Sequence, residues 1–322
     1  DYIPNQMEAI TECFETGRVK VLLTLGSNMV SSFPDTNRLR AALAKTDLVV
    51  AYDIFSSQTI REVADLVLPG TIWLEEVGVK ATNTHVYLAD RVLPAAGEAR
   101  PLYNLYQCLA DRLGIDDVYP WPDQEAAIDA VLDHPATGHA TVKSMRANGN
   151  KVELKISPVA YPTHAFHTPS GKVEFYSQKA ADMGLPPLPV ADEIRAEDGL
   201  ILTQGRSFAH FHSFYDHARA LPDLAMREAA PLLWLAPVDA SKRGISDGDA
   251  ITVHNHRGRF PAKAKVTRNM PTGAVWVRDG WPGFNALTSG DSVLPEAALT
   301  AFPFSVGQAE YGARVEVESS NA

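Results

Sequence analysis

The chain has 322 residues, of which 45% are hydrophobic and 21% are charged. This length suggests two domains, each large enough to bury a core, and the composition is that of an ordinary globular protein. The formal net charge of −10 argues against nucleic acid as a partner. It does not argue against a phosphorylated cofactor, because clustered N–H groups can hold phosphates without net positive charge. No stretch approaches the ~20 apolar residues that a membrane span needs.

Two cysteines, Cys13 and Cys108, are too few for an iron–sulfur cluster or a cysteine-rich zinc site. We expect each to be a small buried or half-buried side chain. The chain opens with "DYIPNQMEAI", without an initiating methionine or a signal-peptide pattern. It therefore reads as an internal part of a longer protein. The missing signal says little about the compartment, which stays unknown, with a cytoplasmic location favoured.

The first seventy residues alternate predicted helices with predicted buried strands. Helical spacing covers residues 5–17, 35–44 and 57–63, and apolar runs predict strands at residues 19–25, 47–53 and 64–70. This order predicts a parallel sheet of βαβ units, in which ligands bind at the carboxyl ends of the strands. We therefore expect Gly26, Ser27 and Asn28 to lie beside Tyr52 and Asp53 at one edge.

The same edge also has a purely structural interpretation. In that interpretation Gly26 only supplies a tight turn, and Asp53 is only a carboxylate that flanks a helix. The pattern of residues alone leaves both interpretations open.

The middle of the chain reads as helices followed by a connector. Helices are predicted at residues 103–113 and 124–132, and strands at "KVELKI" (151–156) and "KVEFYS" (172–177). His134 and His139 lie in a predicted loop and are expected to be plain surface residues. The segment "GLPPLPVADE" is typical of a proline-rich linker.

Short strands with no helical period between them follow the linker. Alternating patterns predict strands at residues 250–254, 260–266 and 274–277, which together favour a closed β-barrel. In the second of these strands Lys263 and Lys265 should face outward. The basic and imidazole residues of "HNHRGR" are interpreted as barrel surface around a hairpin turn: His254, His256, Arg257 and Arg259.

The segment "GRSFAHFHS" is the sharpest local cluster of chemistry. Arg206 offers a planar, permanently charged fork to a phosphate. His210 and His212 face the same side if the segment is extended. Three interpretations of the histidine pair remain open: a His-x-His metal site, polar interface residues without a ligand, and contacts to a cofactor.

The run from "TQGRSFAHFHS" through "APVDASKRGISDGDAITVHNHRGRFPAKAKV" to "FNALT" resembles the C-terminal barrel of the molybdopterin oxidoreductases. This is the dimethyl sulfoxide reductase family, which includes formate dehydrogenases and nitrate reductases. The resemblance implies a six-stranded double-psi barrel that clamps a molybdopterin guanine dinucleotide. "GSNMV", "VVAYDIF" and "VADLVLPGTIWLEEVGVKATN" resemble the family's third domain. The implied fold is an α/β Rossmann-like domain (residues 1–140), a connector (141–195) and an all-β double-psi barrel (196–322).

The resemblance also implies which residues contact the cofactor. They are Gly26, Ser27, Asn28, Tyr52, Asp53, Gln204, Gly205, Arg206, Ser207, His210, Phe211, His212, Ser213 and Asn285. An aspartate suits guanine because its carboxylate can accept from both N1–H and N2–H. At Glu76, Leu102 and Gly312 the chain lacks the lysine or aspartate common in the family, so some contacts are missing or replaced. No catalytic residue or metal ligand is expected in this chain, because family members carry the metal ligand further upstream.

These features predict the cofactor-binding, C-terminal portion of an oxidoreductase that uses bis(molybdopterin guanine dinucleotide) with molybdenum, or alternatively tungsten. A [4Fe–4S] cluster is expected only in the missing N-terminal part, which would be this chain's partner, together with an electron-transfer subunit. The chain alone should be inactive. Two alternatives remain: a metal-free relative that serves as a structural electron-transfer subunit, and a non-catalytic double-psi barrel that acts as a binding module.

Overall fold

The computed structural model describes residues 7–115, 117–157, 159–188, 199–209, 221–290 and 312–320. The chain divides into two compact units. The first combines Asp1–Val67 with Ala191–Ala322, and the second is Leu68–Val190.

The elements that position the candidate site are ten helices and twelve strands in the described part of the chain. The helices are α1 (Met7–Glu15), α2 (Met29–Ser32), α3 (Thr36–Leu43), α4 (Gln58–Val63), α5 (Leu102–Leu113), α6 (Gln124–Leu132), α7 (Val142–Ala147), α8 (Gln178–Asp182), α9 (Pro222–Arg227) and α10 (Pro237–Lys242). The strands are β1 (Val21–Leu25), β2 (Leu48–Asp53), β3 (Leu66–Pro69), β4 (Gly78–Ala81), β5 (His85–Ala89), β6 (Lys151–Glu153), β7 (Leu200–Gly205), β8 (Leu232–Leu235), β9 (Ala250–His254), β10 (Arg259–Val266), β11 (Ala274–Arg278) and β12 (Arg314–Ser319).

The N-terminal elements form a small α/β layer. Strands β1, β2 and β3 lie side by side in that order, and β1 and β2 are parallel, as the alternation of strands and helices predicts. Phe14, Leu39 and Leu43 are buried together where α1 and α3 pack. Helix α4 begins after Ser57, whose hydroxyl caps the helix by accepting from the N–H of Ile60 at 3.4 Å.

The C-terminal elements form a closed barrel of six strands in the order β10-β8-β11-β7-β12-β9, which confirms the predicted closure. Alternate side chains fill its interior, with Leu233, Val253 and Val275 fully buried. On β10, Lys263 and Lys265 are exposed on either side of the buried Ala264, as expected. Burial of these apolar side chains is the main source of stability for the barrel.

The second unit pairs a small antiparallel sheet with helices. Strand β5 lies between β4 and β6, and its Val86 and Leu88 pack on helices α6 and α7. The hydroxyl of Thr141 accepts from the N–H of Ser144, and the Ser144 hydroxyl accepts from the N–H of Thr141, so α7 begins with a complete capping box.

The strand predicted at residues 172–177 is wrong. The segment forms no strand, and Phe175 there is 81% exposed. Its alternating pattern satisfies the strand period, but a strand also needs a neighbour to satisfy its N–H and C=O groups. The prediction at residues 151–156 is confirmed for β6, which pairs with β5.

Candidate functional site

The turn after β1 lies against the end of β2. Leu25 is opposite Tyr52 in the parallel register, and the N–H of Gly26 donates to the Tyr52 carbonyl at 2.7 Å. Gly26 has φ of +60°, a conformation that favours glycine, and open space surrounds the position of an added Cβ. The Ser27 carbonyl accepts from the hydroxyl of Thr24 at 3.1 Å. The predicted edge is therefore present, with Tyr52 and Asp53 as the last two residues of β2.

Asn28 precedes helix α2 and is held by helix α4. Its side-chain carbonyl accepts from the N–H of Thr59 at 3.1 Å and from the Thr59 hydroxyl at 2.9 Å. The same hydroxyl accepts from the N–H of Val30 at 3.0 Å, so one buried threonine fixes both the turn and the start of α2. Asn28 therefore has a structural role in the fold in addition to any contact with a ligand.

Asp53 is a buried carboxyl group, only 7% exposed. Burial raises the pKa of Asp53 above its ordinary value, because removal from water disfavours the charged form. The N–H groups of Phe55 and Ile54 oppose this by donating to Oδ1, at 3.3 and 2.7 Å. A buried acceptor positioned by two backbone donors has a fixed direction, which suits recognition of a base.

The second candidate edge is the exit of β7 from the barrel. Gln204 and Gly205 end the strand, and the Gly205 carbonyl accepts from the N–H of Asp279 at 2.9 Å. A Cβ at Gly205 would lie 2.8 Å from Nε1 of Trp276, so only glycine fits there. The glycine thus allows close packing on a tryptophan, and the strand leads directly into Arg206.

Beyond Gly205 the chain carries exposed side chains. Arg206 is exposed, and the half-buried Ser207 accepts from the N–H of Ala209 at 3.3 Å through its hydroxyl. Phe208, which the sequence did not single out, is fully exposed. His210, Phe211, His212 and Ser213 lie outside the described residues, so the three interpretations of the histidine pair stay open.

Asn285 lies in a short 3₁₀ helix, Phe284–Ala286, close to α2. Its Nδ2 donates to the Ser31 carbonyl at 2.7 Å, and its Oδ1 accepts from the Thr288 hydroxyl at 3.1 Å. The structure therefore brings this barrel residue against the helix that follows the Gly26–Asn28 turn. The first and last members of the predicted set are linked within one unit of the fold.

Sequence reasoning missed Arg278, the last residue of β11. It lies opposite Gly205, is 4% exposed, and is the only buried basic side chain among the described residues. Its guanidinium pairs with Glu228, donates to the Asp279 carbonyl at 2.8 Å, and lies 4.4 Å from the centroid of the Trp281 ring. Burial lowers the pKa of Arg278, and the carboxylate of Glu228 opposes that shift. The signal in the sequence was a charged residue at a strand end, followed by Asp-Gly-Trp.

The interpretation of "HNHRGR" as barrel surface holds for His256 and Arg259, which are exposed, but is wrong for Arg257. The Arg257 side chain is only 22% exposed and pairs with Asp35 at 3.3 Å across 222 residues of sequence. His254 lies 3.6 Å from the Glu318 carboxylate on the neighbouring strand.

The structure gives each of the three positions that depart from the family pattern a place in the local fold. Glu76 accepts from the Thr71 hydroxyl at 3.1 Å, and Leu102 begins α5. Both line a shallow cavity of about 320 Å³ in the second unit, beside Tyr103 and Tyr119. Gly312 has φ of +85° just before β12, where a lysine would be strained.

Within the described residues, no group of three or more His, Cys, Asp or Glu side chains could hold a metal ion. The same residues contain no helix of the length and apolar character needed to cross a membrane. Cys13 is buried as expected, whereas Cys108 is exposed, so the expectation is wrong for Cys108.

Two family models match the chain in succession. The molybdopterin oxidoreductase family matches residues 2–112, and the "Molydopterin dinucleotide binding domain" matches residues 200–302. The first match contains the Gly26–Asp53 edge, and the second contains the exit of β7, Arg278 and Asn285.

Relatives and a solved structure agree with these matches. Acetylene hydratase of Syntrophotalea acetylenica is 30% identical over 81% of this chain and 37% of that protein. The F420-dependent formate dehydrogenase subunit alpha of Methanocaldococcus jannaschii is 28% identical over 93% of this chain and 44% of that protein. The structure of acetylene hydratase from Pelobacter acetylenicus matches with a TM-score of 0.79 and 24% identity, over 98% of this chain and 46% of that one. The chain thus spans less than half the length of the proteins it matches, and it belongs to the molybdopterin oxidoreductase family.

Proposed function

We propose that this chain forms the dinucleotide-holding portion of an oxidoreductase that uses bis(molybdopterin guanine dinucleotide) with molybdenum. Tungsten is the alternative metal, and a [4Fe–4S] cluster belongs to the part of the enzyme outside this chain. In this proposal the α/β layer is Rossmann-like and the six-stranded barrel is of the double-psi type. The proposal is supported most by one observation: the two family models match in order, and each match contains one of the two polar edges.

The residues at the two edges fit the chemistry of a guanine dinucleotide. Guanine presents N1–H and N2–H donors, and Asp53 supplies a buried carboxylate at the end of β2. A pyrophosphate is anionic, and Arg206 supplies an exposed cation at the end of β7. A pterin ring is planar, and the exposed ring of Phe208 can stack on a planar group.

Each edge therefore has its own task. The Gly26–Asn28 turn and Asp53 orient the base, because their positions are fixed by backbone bonds to Tyr52, Ile54 and Phe55. Arg206 holds phosphate at the barrel. Next to it, Arg278 pairs with the end of β7 at Gly205 and packs on the Trp281 ring. When bound, the cofactor supplies two-electron chemistry at the metal, and this chain supplies binding and orientation.

A second candidate reaction is the addition of water to an unsaturated substrate. It is favoured by one observation, the 30% identity to a relative named acetylene hydratase. The same cofactor-holding role would then serve a reaction without net electron transfer. An electron-transfer subunit would be a partner only in the oxidoreductase case, whereas the rest of the catalytic subunit would be a partner in both.

The test is the composition of the enzyme that contains this chain, purified without oxygen. Molybdenum and tungsten would be measured by mass spectrometry, and guanine nucleotide would be measured after acid release. We expect two guanine nucleotides for each metal atom. Assays with formate, sulfoxides and N-oxides against an artificial electron carrier would then be compared with acetylene hydration. A correctly folded enzyme that contains neither guanine nor metal would favour the metal-free relative or the binding module.

A further inference from the structure

Helix α2 has only four residues, so it cannot satisfy its own C-terminal carbonyl groups. The N–H groups of Ser31 and Ser32 donate to the Asn28 carbonyl at 3.0 and 2.9 Å, and that of Phe33 donates to Met29 at 2.8 Å. The carbonyl of Ser31 instead accepts from Nδ2 of Asn285, at 2.7 Å. A side chain 254 residues away in sequence therefore completes this helix.

The orientation of Asn285 is itself fixed. The hydroxyl of Thr288, a residue only 1% exposed, donates to both Oδ1 and the backbone carbonyl of Asn285, at 3.1 and 3.2 Å. Because Oδ1 accepts from this hydroxyl, the amide nitrogen is directed toward Ser31. The Thr288 carbonyl accepts from the N–H of Asp35 at 3.1 Å, so the next residues of the barrel also bind the segment after α2.

Further contacts join the barrel to α2 and the residues after it. We call this junction the Asn285 seam and define it by Ser31, Asp35, Arg257, Asn285 and Thr288. Arg257 pairs with Asp35, and its carbonyl accepts from the side chain of Asn37 at 3.4 Å. The α/β layer also packs closely on the barrel at Gly258, where a Cβ would lie 3.2 Å from Nδ2 of Asn37. The seam therefore combines hydrogen bonds, an ion pair and close packing between the α/β layer and the barrel.

On the opposite side, α2 is held by Thr59 and Gln58 of α4, the latter accepting from the Ser31 hydroxyl at 2.6 Å. The short helix thus lies between two anchors, and the Gly26–Asn28 turn leads directly into it. We propose that Asn285 is a positioning residue, whose amide holds α2 and thereby sets the Gly26–Asn28 turn against the barrel before any ligand binds. The two edges of the candidate site would then form one preassembled surface. That the turn binds a dinucleotide rests on the proposed function, but the coupling itself does not.

The experiment is hydrogen–deuterium exchange on the cofactor-free 322-residue chain. In Asn285→Ala, amide exchange at residues 31–33 should rise about fivefold to tenfold, the effect of losing one hydrogen bond from a local opening equilibrium. Exchange in β9 and β10 should stay unchanged. Asn269→Ala, which removes an exposed asparagine from the same barrel, is the matched control and should change neither region.

Thr288→Val is the second variant, because it removes a hydrogen bond to Asn285 without changing the Asn285 side chain itself. Buried Thr288 cannot reach a ligand, so any effect must pass through its neighbours. Exchange at residues 31–33 should rise about twofold to threefold, since the amide keeps its bond to Ser31 but loses the partner that orients it. If Asn285→Ala proves unable to fold, this variant decides the question. Unchanged exchange at residues 31–33 in a folded variant overturns the proposal.

Cofactor content of the intact enzyme separates positioning from direct contact. A positioning role predicts that Thr288→Val loses guanine nucleotide in proportion to its increase in exchange, and that Asn285→Ala loses more. Loss confined to Asn285→Ala, with unchanged exchange in the free chain, would mean that Asn285 only contacts the cofactor, and would overturn the proposal. Because the exchange measurement needs no cofactor, it decides the positioning role even if the enzyme holds no dinucleotide.

Discussion

The two edges of the candidate site differ in how their polar groups are held. At the α/β edge, Asp53 is buried, and Asn28 and Gly26 already bond to neighbouring elements. At the barrel edge, Arg206 and Phe208 are exposed, while the buried Arg278 supports the strand behind them. The difference matches the two recognition tasks that we propose for these edges. A base is distinguished by donors and acceptors in fixed directions, whereas a phosphate mainly requires positive charge.

The barrel edge should depend most on Arg278, so its removal is expected to have the largest effect on stability. Arg278→Ala leaves the carboxylate of Glu228 without its partner, and loss of one member of a buried pair costs about 3 kcal/mol. We take the lower end of that range because the Glu228 side chain is 26% exposed. Thermal or urea unfolding measures the effect. Arg259→Ala is the control: Arg259 pairs with Glu318 at the surface, where such pairs contribute about 0–1 kcal/mol.

Arg206→Ala should weaken cofactor retention without unfolding the barrel. A hydrogen bond to a charged group is worth about 1.5–3 kcal/mol, and Arg206 makes no contribution to the apolar core. The effect should shrink at high salt, because exposed charges are screened. Guanine released per subunit, measured at low and high ionic strength, tests this. Arg268→Ala, another exposed arginine of the barrel, should retain full cofactor. Equal cofactor retention in both variants would mean that Arg206 does not bind the cofactor.

Asp53→Ala tests the other edge and should affect the base more than the phosphate. It would leave two guanine donors unmet, which typically costs about 1–3 kcal/mol. Guanine content should fall with the fold intact, and competition by inosine nucleotides, which lack N2–H, should become relatively stronger. Asp47→Asn, at an exposed position near the start of β2, is the matched control. Normal guanine content in Asp53→Ala would break the assignment.

The smallest expected effect is a pH dependence of stability. Burial raises the folded-state pKa of Asp53 above its ordinary value of 3.8, so the folded chain binds a proton more tightly than the unfolded chain does. The contribution of Asp53 to stability is therefore present below pH 3.8 and is lost as pH rises through the raised pKa. Asp53→Asn should remove this dependence. The measurement is the melting temperature of the cofactor-free chain and of Asp53→Asn at several pH values between 4 and 7. The same pH dependence in both proteins would contradict this prediction.

Sequence reasoning reached the parts of the site that depend on local order. Two consecutive parallel strands must end at the same edge, so the sequence alone places Gly26 and Asp53 together. The strands β9 and β10 followed from alternation alone, because one face of each is buried.

The parts that were missed depend on distant neighbours. Helix α2 is too short to give a periodic signal and is held by Thr59 and Asn285. The burial of Arg278 follows from Glu228 and Trp281, and the pairing of Arg257 with Asp35 spans both halves of the first unit. Such contacts satisfy polar groups across long separations, which no local window of sequence contains.

The order of strands in the barrel also has a consequence for protein synthesis. Strand β7 is the first barrel strand to leave the ribosome, and its neighbours are β11 and β12, with Ile201 opposite both Ala274 and Arg314. The ring therefore cannot close until its last strand has been translated. Pairing across such a separation is slow to form, because a long loop must be ordered first. A newly made chain would thus keep its barrel open, with β7 and β9 still lacking their shared neighbour, until translation has passed β12.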